Sequence, residues 1–369
     1  MIYTIPDYYN QFRCLAGECS DTCCAGWQIA IDRLSMRRYG KVRGPFRKRL
    51  VKSVNWMKGT FCQTEDKRCA FLNEDNLCDM YTALGKKSLC RTCRLYPRHV
   101  EEFEGVREIS LSVSCPEAAR ILLEKMEPVR FLTYEKEREE EFDDFDPLLY
   151  SALADARDVI FQILQNRGIS VKVRAGIMLG LAHDMQVRMK RGDLFSCGEL
   201  YGRYLSDAAV RFVVKKVDEQ EKDAEECYWR AAVLFGKLYK LELLHEEWDK
   251  MLREAEELLY WKGHSHYTDI KKEFSRWMAE KRKNWEIQKE QLLVYFVFTY
   301  FCGAVYDGRV YAKAEVAAAS VFLIEELLTA KWLKNEKTLD FEDILEIVYR
   351  YSREIEHSDK NLTDLEKLL

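Results

Sequence analysis

The sequence predicts a mainly α protein, with a small cysteine-rich, metal-binding α+β domain followed by an α-helical bundle. Three observations predict it. Ten of the thirteen cysteines lie before residue 116. Beyond residue 146 the apolar residues recur at helical spacing almost without interruption. Only 6 prolines and 17 glycines occur in 369 residues, so long helices are allowed. The expected division is a metal-cluster domain over 1–127, an acidic linker over 128–146 and a helical domain over 147–369.

Within the first region, Trp27 to Ile31 alternates like a short strand. Leu34 to Tyr39 reads as a helix, Gly44-Pro45 interrupts it, and Phe46 to Met57 resumes helical spacing. Arg98–Phe103 and Val106–Val113 read as two strands joined by a Glu104-Gly105 turn. Cys115-Pro116-Glu117 opens a helix to about Lys125, with proline in the favoured first helical position. Eight of the twelve residues from Glu135 to Asp146 are acidic, the composition of a solvated connection. Further helices are expected near 147–165, 171–190, 197–216, 220–238, 242–260, 269–301, 311–332 and 340–355.

With 47% hydrophobic and 33% charged residues, the chain is globular rather than disordered. The N-terminus lacks the basic flank and apolar run of a signal peptide, and the longest apolar run, Leu292 to Phe298, is too short to span a bilayer. A cytoplasmic protein without a membrane partner is expected. The net charge of −4 is uneven. Residues 1–130 carry 22 Lys and Arg against 16 Asp and Glu, and ten basic residues fall between Arg33 and Thr64 with no acidic one. That stretch reads either as a basic helix face in solvent or as a surface that steers an acidic macromolecule or an anionic cofactor, and no nucleic-acid motif accompanies it.

The chemistry sits in the cysteines. One cluster is Cys14-x4-Cys19-x3-Cys23-Cys24. The other is Cys69-x8-Cys78, Cys90-x2-Cys93 and Cys115-Pro116. Ten cysteines without an export signal favour metal over disulfides. Only His99 offers an imidazole nearby, so ligation is all-sulfur, which tilts the choice from zinc toward iron–sulfur. Ten thiols exceed the four that one centre needs. Either two sites exist or several thiols are structural. Neighbours Cys23 and Cys24 are awkward ligands for one metal, so one of them should point elsewhere.

Several familiar signatures are missing. No two glycines are separated by a single residue, which excludes the Gly-x-Gly loops of dinucleotide-binding folds and of the common methyltransferase fold. Position 26 is Gly26, so the three-cysteine motif of standard radical S-adenosylmethionine enzymes is also absent.

The motifs Phe12-x-Cys14, Cys19 to Trp27, Cys69-Ala70-Phe71-Leu72, Leu77-Cys78, Cys93-Arg94-Leu95-Tyr96-Pro97-Arg98 and Ser110 to Arg120 resemble the bacterial flagellin lysine-N-methylase family. Glu290 to Tyr295 and Tyr300-Phe301 extend the resemblance into the helical region. Part of the cysteine region is also similar to a wider family thought to chelate zinc or iron. The first resemblance implies methyl transfer from S-adenosylmethionine to lysines of flagellin, and a [4Fe-4S] cluster. The second implies an alternative, a non-enzymatic zinc- or iron-chelating adaptor.

Cys19, Cys23, Cys93 and Cys115 are the first candidate ligands, followed by Cys14, Cys24, Cys69, Cys78 and Cys90, and Cys62 lies outside the matched motifs. Arg98 is a candidate to pair with the donor carboxylate, and Trp27 to stack on its adenine. Glu290 and Tyr295 are candidates for a lysine channel. Each has a plainer reading: an ion pair for Arg98, core packing for Trp27 and Tyr295, a solvated surface carboxylate for Glu290.

Overall fold

A computed structural model describes residues 1–143 and 145–369; Asp144, in the acidic stretch expected as a linker, lies outside the described residues. Strand β1 (Ile2–Pro6) opens the chain, and the cysteine-rich segment follows it. That segment contains α1 (Arg33–Lys41), α2 (Arg47–Lys52), the two-residue strands β2 (Val54–Asn55) and β3 (Thr60–Phe61), α3 (Asp79–Leu84) and α4 (Arg91–Leu95). Then come β4 (Arg98–Phe103), β5 (Val106–Leu111), α5 (Pro116–Glu124) and β6 (Phe131–Glu135).

Strands β4 and β5 form the expected hairpin, turning at Gly105 with φ +69°. The sheet order is β4-β5-β1-β6, with β1 parallel to β5 and antiparallel to β6. Thus the stretch expected as an acidic linker contributes an edge strand. Asp32 starts α1 by accepting from the Ser35 amide. The helix expected over Phe46–Met57 stops at Lys52, because Val54 and Asn55 turn back through Gly59 onto Thr60 and Phe61. Trp27–Ile31 forms no regular strand. Ile29 and Ile31 are buried and bond Phe61 and Gly59 through single backbone links, and Ala30 makes an isolated bridge to Thr60.

The helical part comprises α6 (Pro147–Leu164), α7 (Val171–Lys190), α8 (Gly198–Tyr204), α9 (Asp207–Glu221), α10 (Ala224–Gly236), α11 (Glu246–Leu259), α12 (Gly263–Lys281), α13 (Trp285–Tyr300), α14 (Ala304–Asp307), α15 (Val310–Lys334), α16 (Phe341–Glu356) and α17 (Asp359–Leu368). Two expected segments are each split. Ser206 caps α9 and separates it from α8. Arg282 leaves helical geometry between α12 and α13 and donates to the Leu339 carbonyl. The helix α17, capped by Ser358, was not expected. Helix α13 is buried on all sides from Glu290 to Tyr300, which explains its lack of amphipathic pattern. It packs on α5, α6, α7, α15 and β5.

The apolar cores divide the chain differently from its composition. One core joins Tyr8, Phe12, Phe103, Leu111, Val113 and α5 to the helices. A second, smaller core runs from Ile29 to Cys90 and includes Leu50, Phe61, Phe71 and Met80. The cysteine-rich segment is therefore a module inserted between β1 and β4, while the sheet and α5 belong with the bundle. Among the described residues, no helix is long and apolar enough to cross a membrane.

Candidate functional site

All thirteen cysteines are free thiols, and no disulfide is formed. Among the described residues, no three His, Cys, Asp or Glu side chains converge closely enough to grip a metal ion. The thiols are nevertheless gathered into two sets. Cys19, Cys23 and Cys115 lie within electrostatic reach of Cys14; burial raises the pKa of Cys19 and Cys115, and the Cys24 thiol, with burial, raises that of Cys23. Cys24, Cys69, Cys78, Cys90 and Cys93 form the second set in the same sense. Cys62 belongs to neither; its thiol lies 3.7 Å from the Lys52 carbonyl.

Local structure prepares several of these sulfurs to carry charge. Cys78, Cys90 and Cys115 occupy the residue before α3, α4 and α5, where Ser or Asp would normally cap. None of the three sulfurs accepts a capping hydrogen bond, but the amides at these helix starts pull the pKa of Cys78, Cys90 and Cys115 down against burial. The Phe71 amide does the same for Cys69. Burial works against ionisation, pushing Cys69 up to about 12 and Cys115 to about 11. Hydrogen bonds from neighbouring thiols lower two members: Cys23 brings Cys24 to about 7, and Cys93 does the same for Cys90. A donor set of soft sulfurs with amide support fits an all-thiolate centre.

The first set meets the bundle at Arg353 of α16. Its guanidinium donates to the Ser114 and Asp21 carbonyls at 3.0 and 2.8 Å and pairs with the Asp21 carboxylate at 2.6 Å. One buried arginine thus ties the Cys19–Cys23 loop to the start of α5, where Cys115 sits. Beside it the ring of Trp27 stacks on His357, with centroids 4.7 Å apart.

A cleft of about 550 Å³ lies against this junction. Asp21, Gly26 and Asp66 line one wall; His245, Glu246, Glu247, Arg350, Arg353 and Glu354 line the other. His245 Nδ1 meets the Glu354 carboxylate, which in turn accepts from the Leu244 amide at 3.0 Å. That carboxylate favours the tautomer with its proton on Nδ1, leaving Nε2 as the basic atom. Nε2 faces Gly26 so closely that a Cβ there would stand 2.1 Å away. With φ of +89°, Gly26 is required both for the turn and for the approach.

Residues 157–369 match the FliB lysine N-methylase C-terminal domain family. The chain belongs to that family. It is 30% identical over 128 residues to the flagellar biosynthetic protein FliU of Salmonella muenchen, covering 32% of this chain and 76% of that protein. It is 29% identical over 128 residues to the lysine-N-methylase of Salmonella typhimurium, covering 32% of each. The lysine-N-methylase of Salmonella choleraesuis matches to the same extent. The chain thus spans about a third of the length of the lysine-N-methylases it matches. No solved structure matches it.

In this FliB-family chain the candidate residues are not all in one place. Trp27 donates to the Cys23 carbonyl at 2.6 Å and stacks on His357, so it packs beneath the first thiol set. Tyr295 reaches the same junction from α13: the Val113 amide donates to its hydroxyl, which donates to buried Glu356. Arg98 donates to the Tyr9 hydroxyl at 3.0 Å and lies over the rings of Tyr9 and Phe12. Glu290 is fully buried, not surface-exposed, and is gripped by Arg167 and Arg174 at 2.9 and 2.7 Å, away from the cleft. Arg353, Asp21, His245 and Glu354 were not among the sequence candidates. Nothing in a lone His245-Glu246-Glu247 or in an arginine of an amphipathic helix signals a site; only folding brings them to the cysteines.

His357 gives this junction a pH dependence. Burial, with the charges of Arg353 and His245, depresses its pKa to about 3. The unfolded value is near 6.5, so below that pH the unfolded chain binds a proton that the folded one refuses. His357 therefore detracts nothing above about pH 6.5, and stability falls as pH drops toward 3. The expected slope is about 1.4 kcal/mol per pH unit for this group alone. Urea denaturation at pH 7, 6 and 5 should show a shallower pH dependence for His357→Gln than for the unaltered protein.

Proposed function

We propose that this protein transfers a methyl group from S-adenosylmethionine to lysine side chains of flagellin, using a [4Fe-4S] cluster held by Cys14, Cys19, Cys23 and Cys115. The observation that carries the reading is the position of the first thiol set beside an acidic cleft in a lysine N-methylase family member. When bound through these four cysteines, the cluster would have every iron ligated and would serve to order the junction beside the cleft rather than to hold the donor. Glu246, Glu247 and Asp66 attract the lysine cation to the cleft. His245 Nε2 takes its proton, and Glu354 stabilises the imidazolium that results. The freed nitrogen pair then attacks the methyl carbon, the carbon–sulfur bond breaks, and neutral S-adenosylhomocysteine leaves. Arg350 offers the donor carboxylate a cation at the same opening.

The test is incubation of anaerobically purified protein with methyl-labelled donor and unmethylated flagellin, followed by peptide mapping. Label on flagellin lysines is the expected result. Intact iron and sulfide with no label on lysine would sink the reading. Binding of metal without donor binding in calorimetry would favour the chelating adaptor.

A further inference from the structure

None of the ten basic residues between Arg33 and Thr64 lines the cleft. Helix α1 carries Leu34, Arg37, Arg38 and Lys41 on one face, at helical spacing. Helix α4 carries Arg91, Arg94 and Leu95 in the same way. Arg94 is shared by two open concavities, one of about 460 Å³ against α1 and one of about 490 Å³ against the sheet. Together they form one groove. The sheet contributes Tyr3, Val100, Arg107 and Ile109, with Tyr3 opposite Arg107 and Val100 opposite Ile109 across the strands. Among the described residues, no carboxylate is within ion-pair distance of Arg37, Arg38, Lys41 or Arg94. Arg38 is fixed by the Lys87 and Leu89 carbonyls at 2.7 and 3.2 Å. Two carboxylates line the groove. Asp32 accepts from the Ser35 and Arg91 amides at 2.9 and 2.8 Å, and Glu102 stands 3.7 Å from Arg91 and 3.6 Å from Arg107. The cations outnumber them, and most lack a counter-charge.

We propose that this groove docks an acidic segment of a partner protein, one in which carboxylates are interspersed with apolar side chains. The chain's own acidic stretch shows the fit at one end. Glu140 pairs with Arg107 and lies 3.9 Å from Arg138, while the Phe142 ring lies 5.7 Å from the Arg107 guanidinium. Guanidinium groups suit carboxylates because their paired N–H donors match the two oxygens. Between the cations, Leu34, which is 70% exposed, and Leu95, Val100 and Ile109 offer apolar contact. The rest of the molecule sharpens the choice of face. Residues 131–369 carry 36 Lys and Arg against 46 Asp and Glu, so an acidic partner is repelled there and steered to the groove. Nucleic acid fits less well. Tyr3 is the groove's aromatic ring, and it is already stacked on Tyr134 with centroids 5.1 Å apart, so it offers no free platform for a base. Glu102 and Asp32 would also oppose an unbroken row of phosphates. A concave surface does not meet a flat bilayer. The inference does not rest on the methyl-transfer reading, and binding alone tests it.

The probe is a fluorescein-labelled peptide in which glutamate alternates with leucine and alanine, titrated with full-length protein and read by anisotropy. Binding is expected, and it should weaken as salt is raised. The same peptide with glutamine for glutamate should not bind. The Arg37→Glu/Arg94→Glu variant should bind the acidic peptide about tenfold more weakly or worse. Should that variant fail to fold, Arg37→Glu/Lys41→Glu changes only exposed positions of α1 and carries the same expectation. Lys272→Glu/Arg276→Glu, an equal charge change at exposed positions of α12, should bind as the unaltered protein does. No binding of the acidic peptide, or an equal loss in the α12 variant, would overturn the proposal. So would tighter, groove-dependent binding of duplex DNA, RNA or phosphatidylglycerol vesicles, which would assign the surface to nucleic acid or to a membrane.

Discussion

Glu290→Ala is expected to destabilise the protein by about 3–5 kcal/mol, the cost of stripping a buried ion pair of one partner. The carboxylate is fully buried and receives hydrogen bonds from the Arg167 Nε and Nη2 and from the Arg174 Nη1. Arg167 is a third exposed and can turn toward water. Arg174 is 3% exposed, and apart from Glu290 its hydrogen-bond partner among the described residues is the Leu164 carbonyl. Removing Glu290 therefore leaves a guanidinium with no counter-charge between α6, α7 and α13. Glu290→Gln keeps the shape and part of the hydrogen bonding, so its loss should be smaller. Urea unfolding measures both. The position also predicts a separation of effects: below the unfolding transition, methyl transfer per folded molecule should be little changed, because the carboxylate faces two arginines and not the cleft. A lysine channel lined by Glu290 would instead raise KM in the folded variant.

His245→Ala should slow methyl transfer by about 100-fold or more, the usual contribution of a placed proton acceptor. The defect has a signature that a packing defect lacks. Free lysine amine is scarce at neutral pH because its pKa is about 10.4, so the base matters most there. As pH rises toward 10 the substrate arrives deprotonated, and the ratio of unaltered to variant rates should shrink toward one. Glu354→Gln should give a weaker version of the same profile, since it removes the charge that favours the imidazolium while leaving Nε2 in place. A rate ratio that stays constant with pH would assign His245 to packing against Gly26 alone.

Much of the architecture was legible because it follows from local rules. The Glu104-Gly105 turn, the proline after Cys115 and the helical spacing over α6, α7, α15 and α16 each declare themselves within a short window. Sequence resemblance pointed to the same family that the helical region matches. What could not be read depended on contacts distant in sequence. Strand β6 lies in a segment whose acidity suggests solvent, yet it is held by pairing with residues 2–6, about 130 positions earlier. The placement of the Cys23 and Cys24 thiols against each other was not legible, because spacing alone does not say which thiols share a pocket. Arg353 and His245 reach the cysteines from α16 and the start of α11, and no local pattern marks either. Glu290 read as a surface carboxylate opposite an apolar face, whereas the helix is buried on all sides from Glu290 to Tyr300.

The sheet also imposes an order on synthesis. Strand β1 leaves the ribosome before both of its neighbours, β5 and β6, which come after the whole inserted module. Until residue 135 has been made, β1 keeps one open edge, and until residue 106 it has none of its partners. The thiol-rich module is complete before that, with its own core. The module can therefore fold on the nascent chain before the sheet closes, and slow folding of the module would leave a sticky strand waiting beside it.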